Sequence, residues 1–126
     1  MEGKVILITG GAVRVGAAIA RRLHASWARI MIHYRSSADA AEKLRDTLNK
    51  LRPDSAAIVQ GDLLDPDSYA RMVAETVAGF GRLDVLVCAA AIVTPRESVA
   101  EQAVDDWRRA LDVNLTGAWL MAKWSI

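Results

Sequence analysis

Three glycines and an arginine are concentrated in residues 9–16, TGGAVRVG, between a β-branched apolar run and a stretch of helical periodicity. A glycine at such a turn lets the backbone come close to a pyrophosphate. The free N–H groups and positive dipole end of the following helix then stabilise the ligand's negative charge. A plain strand-to-helix turn needing positive φ would use the same residue type, but the strand before and the helix after favour phosphate binding. Gly11 and Gly16 also satisfy the first half of the phosphate-loop pattern of nucleotide triphosphatases. That mechanism next needs a lysine and a hydroxyl, and Ala17 and Ala18 stand there instead. The common GxGxxG spacing is absent too, because five residues, Arg14 among them, separate Gly10 from Gly16.

The dinucleotide that such a turn would hold is decided by the end of the second strand. An NAD site usually places a carboxylate about 20 residues beyond the glycine turn, where it accepts from the ribose 2′-hydroxyl. Here the strand ends in His33, Tyr34, Arg35 and Ser36. A guanidinium pairs with a 2′-phosphate that a carboxylate would repel, so Arg35 favours NADP. Asn114 is the single candidate for chemistry beyond cofactor binding. It shares a helical face with Trp107, Leu111 and Ala118, which puts a polar amide inside an apolar stripe where it must find partners. His24 and His33 have no companion cysteine or carboxylate at ligand spacing, so no metal site is expected.

The elements that would position these groups can be read from apolar periodicity. Residues 4–9 (KVILIT), 29–33, 56–60 and 83–88 are short apolar runs of the kind buried on both faces of a parallel sheet. Between them, Val15, Ala18, Ile19 and Leu23 recur at helical spacing, as do Ala41, Leu44, Leu48 and Leu51 after a cap at Ser36 or Ser37. Asp65 and Pro66 open a third helix with Tyr69, Met72, Val73, Thr76, Val77 and Phe80 on its inner stripe, closed by Gly79 and Gly81. A last helix starts near Ala103. Strict alternation of strand and helix predicts an α/β fold, a doubly wound parallel sheet of Rossmann type, forming one domain over residues 1–126.

No stop signal follows the helical pattern of residues 119–126, and the fourth strand would keep an unpaired edge. A fold truncated after the fourth strand and following helix is therefore the expectation. With 52% apolar and 25% charged residues and a formal charge of +1, the composition calls for neither nucleic acid nor an anionic membrane. The lone Cys88 is expected to pack in the sheet. One cysteine and the lack of a leader pattern suggest a cytoplasmic protein, and no apolar run reaches membrane-spanning length.

Four ordered motifs, TGGAVRVG, HYRSS, GDL at residues 61–63 and DVNLTG at residues 112–117, resemble the short-chain dehydrogenase/reductase family, and most of all its pteridine-reductase branch. The resemblance covers the whole chain and implies a nicotinamide-dependent oxidoreductase acting on a small molecule with a carbonyl or C=N bond. It implies that Gly10, Arg14, Val15 and Gly16 hold the cofactor's phosphates, with Arg14 beside the 2′-phosphate together with Tyr34, Arg35 and Ser36. Asp62 and Leu63 would contact the adenine, Ala89, Ala90 and Ala91 would follow the cofactor along the fourth strand's end, and Asn114 would help hold a proton-relay water. Asp62 read without the family is a helix-initiating turn residue.

Relatives also use a serine and a tyrosine with a lysine four residues on, whose charge lowers the tyrosine's pKa. Tyr34 and Tyr69 are the only tyrosines, and neither has that lysine. The 126 residues alone are thus expected to bind cofactor without reducing anything. Ala91 and Val93 replace the hydroxyl and the stacking aromatic of pteridine reductases, which argues against a pterin substrate. Trp107, Trp119 and Trp124 are expected in the core or in a homo-oligomer interface, since family members pair through this helix. A non-catalytic NADP-binding or interaction module is the other reading.

Overall fold

A computed structural model describes residues 1–126. Strand β1 (Val5–Thr9), helix α1 (Arg14–Ala25), β2 (Arg29–Tyr34), α2 (Ala38–Leu51), β3 (Ala56–Gln60), α3 (Pro66–Phe80) and β4 (Val85–Cys88) alternate along the chain. Helices α4 (Val104–Leu111) and α5 (Gly117–Ser125) follow, joined by a π-helical turn over Asp112–Thr116. All strands run parallel in one sheet, in the order β3-β2-β1-β4. Growth from β1 goes one way to β3 and the other way to β4, so the switch point of a doubly wound Rossmann-type sheet lies between β1 and β4.

Alternation along each strand divides the core in two. Ile6, Ile8, Ile30 and Ile32 point to one face and pack with Ala20, Ala41, Leu44 and Leu48 of α1 and α2. Leu7, Met31 and Val59 point to the other face, against Tyr69 and Met72 of α3 and Met121 of α5. Every residue of β1 is buried, as a central strand covered on both faces requires.

Helix α3 has the ends that its sequence predicts. The Asp65 carboxylate accepts from the Asp67 N–H, Pro66 occupies the first turn, and Gly81 adopts φ +81° while its N–H returns to the Val77 carbonyl. On α2, Ser37 stands at the N-cap position but its hydroxyl makes no capping bond. Val15, Ala18, Leu51 and Val77, placed by periodicity on inner faces, are exposed. In α1 the buried positions are Gly16, Ala20 and His24, so small residues bring that helix close to the sheet.

Larger departures lie around β4. The strand starts at Val85, two residues later than the apolar run suggests, and its residues are only half-buried. Asp84 precedes it as a fastening point: its carboxylate accepts from the Val5 N–H and pairs with Arg82 and Lys4. The Arg82 guanidinium, with the Val5 N–H, holds this carboxyl down at about 2. That tie is complete above the ordinary carboxylate range and is lost only as pH falls toward 2. Cys88 ends the strand exposed, not packed in the sheet: it still pairs with Thr9, but it is the last residue of a strand at the sheet's edge. The single helix expected from about Ala103 is interrupted by the π turn. Trp107, Trp119 and Trp124 are not core residues; they stand 55%, 60% and 46% exposed. No helix is long and apolar enough to cross a membrane.

Candidate cofactor site

A cleft of about 390 Å³ opens where β1, β2, β3 and β4 end. The glycine turn makes its floor. Gly10 has φ +64°, and a Cβ there would come within 2.8 Å of the Ala90 Cα. A Cβ on Gly16 would fall 2.1 Å from the Gly10 carbonyl oxygen. Neither position admits a side chain, so the backbone itself forms the surface that a ligand would meet. Arg14 begins α1 at φ +48°, an uncommon conformation for a residue with a Cβ. The N–H groups of Arg14, Val15 and Gly16 make no backbone hydrogen bond, as the first turn of a helix requires. Three donors and a positive dipole end therefore converge at the cleft.

Thr9 and Gly10 tie β4 to the turn. The Ala89 N–H donates to the Thr9 carbonyl at 3.2 Å and the Ala90 N–H to the Thr9 hydroxyl at 3.3 Å. On the other side, His33 is buried, accepts from the Gly10 N–H through Nδ1 at 3.0 Å, and donates from Nε2 to the Gly61 carbonyl at 2.9 Å. A backbone N–H can only donate and a carbonyl can only accept, so the ring is the neutral Nε2–H tautomer. Burial lowers the pKa of His33; the Gly61 carbonyl opposes this, the Arg71 guanidinium reinforces it, and Asp62 opposes it.

Asp62 Oδ1 accepts from the Leu64 N–H, which is the turn role read from sequence, and the residue still lines the cleft. Tyr69 stands beneath that loop and donates its hydroxyl to the Leu63 carbonyl. Desolvation raises the pKa of this phenol, with Asp62 and Asp112 adding to the effect.

All the residues expected at the cofactor border this one cleft: Gly10, Arg14, Val15 and Gly16 from the turn, Tyr34, Arg35 and Ser36 from β2, Asp62 and Leu63 after β3, and Ala89, Ala90 and Ala91 after β4. Arg14 and Arg35 are exposed and form no ion pair within the protein. Asp62 is the only carboxylate on the lining. Val15, expected at the phosphates and also on the helix's inner face, is not on the inner face; it is exposed and borders the cleft.

Asn114 lies outside the lining, in the π turn. Its Oδ1 accepts from the Ile92 N–H at 2.8 Å and its Nδ2 donates to the Ile92 carbonyl at 2.9 Å. The partners that an amide in an apolar stripe demands are thus one residue's backbone, while Trp107 and Leu111 of the same stripe are exposed. Two contributors have little signature in the sequence. His33 is marked only as a strongly polar side chain between the apolar residues 30–32 and the RSS segment. The hydroxyl of Thr9, at the end of an otherwise apolar strand, was the other available signal.

A profile of the short chain dehydrogenase family matches residues 4–125. The chain is 35% identical over 123 residues to versicolorin reductase 1 of Aspergillus parasiticus, covering 98% of this chain and 46% of that protein. It is 38% identical over 122 residues to cis-4-hydroxycyclohexanecarboxylate dehydrogenase of Sinomonas cyclohexanicum, covering 95% and 47%. A solved short-chain dehydrogenase/reductase from Serratia marcescens superposes with a TM-score of 0.92 at 31% identity, over 98% of this chain and 50% of that one. The chain thus spans about half the length of the relatives it matches. The profile takes in every strand, the glycine turn, the β2 end and the π turn, and the chain belongs to the short chain dehydrogenase family.

Proposed function

We propose that this chain holds NADP for an oxidoreductase that reduces the carbonyl or C=N bond of a small molecule. Family membership supports a nicotinamide cofactor. The observation that carries the choice of NADP is that Arg14 and Arg35 border the same cleft, with no carboxylate at the end of β2. A cleft floored by backbone that tolerates no Cβ at Gly10 or Gly16 fits the phosphates of a dinucleotide. The N–H groups of Arg14, Val15 and Gly16 would hold the pyrophosphate. Arg14 and Arg35, with Tyr34 and Ser36, would enclose the 2′-phosphate. The free lone pairs of Asp62 would accept from the adenine amino group beside Leu63, and residues 89–91 would follow the ligand toward the nicotinamide. When bound, the nicotinamide supplies the hydride.

Asn114 is first a positioning residue, because its amide fastens Ile92 and with it the loop after β4. An amide offers two donors and two lone pairs, so one of each remains for a relay water. The name of the Sinomonas relative specifies a hydroxy acid, which supports carbon–oxygen chemistry over C=N. The resemblance to the pteridine-reductase branch rests on sequence motifs, TGGAVRVG above all. Ala91 and Val93 give the cleft neither a hydroxyl nor an aromatic ring, so a pterin is not the substrate we propose.

Titration of the purified chain tests the reading. NADPH is expected to bind about tenfold or more tightly than NADH, and Arg35→Ala to erase that preference while leaving NADH affinity unchanged, as loss of a charge-assisted pairing implies. Equal affinities for the two nucleotides would refute the phosphate assignment. The alternative, a non-catalytic NADP-binding or interaction module, is favoured by one observation. Tyr69 is buried on the Leu63 carbonyl and Tyr34 has an alanine four residues on, so neither is placed as a general acid. NADPH consumption by these residues with any carbonyl substrate would overturn it.

A further inference from the structure

We propose that His33 is the positioning residue of the dinucleotide cradle, its neutral ring holding the β1 turn and the β3 loop in place, so that a proton on the ring dismantles the cradle. The inference rests on the cofactor reading of the cleft. Its basis is geometric. His33 engages both leading amides of the glycine turn: the ring takes the Gly10 N–H and the backbone carbonyl takes the Gly11 N–H at 3.0 Å. The opposite ring nitrogen donates to Gly61, whose own N–H donates to the Tyr34 carbonyl at 3.0 Å. One side chain therefore spans the ends of three strands, and what it joins is the pyrophosphate turn on one side and the loop carrying Asp62 and Leu63 on the other.

Protonation would put an N–H on Nδ1, facing the Gly10 N–H. Two donors cannot bond, and both would be left unsatisfied in a buried place. The charged groups acting on the ring are Asp62 from the β3 loop and Arg71 from α3, with opposite signs; the β1 turn presents only backbone. Burial lowers the ring's pKa below its ordinary value of about 6.5. The unfolded chain then binds more protons than the folded one, so the cradle is complete above about 6.5 and is lost as pH falls through the depressed value. Function gains an acid limb that belongs to the protein and not to the ligand.

The experiment compares wild type with His33→Asn and His33→Gln. The Asn carbonyl oxygen falls near the position of Nδ1 and keeps the Gly10 bond; the Gln amide nitrogen falls near Nε2 and keeps the Gly61 bond. Neither titrates. Dissociation constants for NADPH and for NADH are measured from about pH 8 to about pH 5, with circular dichroism to establish folding. NADPH carries a titrating 2′-phosphate and NADH does not, so an acid limb seen with both nucleotides belongs to the protein. Wild type is expected to weaken toward acid with both, by up to about tenfold per pH unit below the pKa of His33. His33→Asn and His33→Gln, each losing one of the two ring bonds, are expected to bind about tenfold more weakly than wild type near pH 8, and His33→Asn to lose the NADH acid limb. Coincident NADH profiles for wild type and His33→Asn would overturn the proposal.

Imidazole ¹⁵N shifts of the nucleotide-free chain supply an arm that does not depend on the cofactor. The neutral Nε2–H tautomer near pH 8, converting below neutrality together with faster exchange of the Gly10 amide, supports the clamp, and an Nδ1–H tautomer or a cation near pH 8 overturns it. An intact clamp with no binding of either nucleotide would overturn the cofactor reading instead.

Discussion

Ile6 of β1 and Val85 of β4 are partners on one rung of the sheet, yet Ile6 is fully buried and Val85 only half-buried. The same contrast holds for the regions around them. On the β1 side two helices close over the strands, and at the ends of β1, β2 and β3 backbone and side-chain bonds from His33 and Thr9 fix the turn and neighbouring loops. On the β4 side, Trp107, Leu111, Leu115 and Trp119 of α4, the π turn and α5 are exposed. The amide of Asn114 and the tie at Asp84 hold this part more than burial does. The end carrying the glycine turn is thus built on a closed core, whereas the β4 side is held by a few polar fastenings and shows apolar surface. These exposed apolar side chains make a second copy the occupant we propose for that surface.

The sharpest break in this contrast is at the turn. Gly16→Ala places a Cβ where the Gly10 carbonyl stands, and we expect loss of NADPH affinity by roughly a hundredfold or more with about 2–3 kcal/mol of destabilisation. Wild-type affinity in that variant would mean that the turn yields to a side chain and is not a fixed cradle. Next in size is the shared rung. Ile6→Ala is expected to cost about 3–4 kcal/mol in urea denaturation and Val85→Ala about 1 kcal/mol, because only the first leaves a cavity in a closed core. Equal costs would erase the distinction between the two regions. Smallest in stability is Trp119→Ser, expected within about 0.5 kcal/mol of wild type, with light scattering showing a shift from dimer to monomer. Unchanged mass would remove the second copy from the account of this face.

Much of this was legible beforehand for a reason visible in the residues themselves. Strand β1 is a continuous apolar run because it is covered twice, and Asp65, Pro66 and Gly81 mark the ends of α3 through local hydrogen bonding and allowed φ alone. Most positions bordering the cleft were implied by the family resemblance, and they come together because the ends of parallel strands meet at the switch point. Legibility failed where position depends on what packs nearby. Val15 satisfies helical periodicity and still faces the cleft, and Cys88 satisfies the apolar run of β4 but lies past its covered part. The π turn carries no composition signal, since a wider turn costs little when Asn114 gains the Ile92 backbone.

From the order of residue types alone, this protein had an α/β alternation, a glycine turn suited to phosphate, and an arginine where an NAD site would have a carboxylate. These follow from short-range sterics and charge, which act within a few residues. Only the tertiary structure decided that His33 is an internal fastening and not a surface or metal-binding imidazole, and that Arg14 and Arg35 border one cleft. It also decided which tryptophans remain in water. Those outcomes depend on groups brought together from distant parts of the chain, and a hydrogen-bond partner such as the Gly61 carbonyl has no signature in the residue that bonds to it.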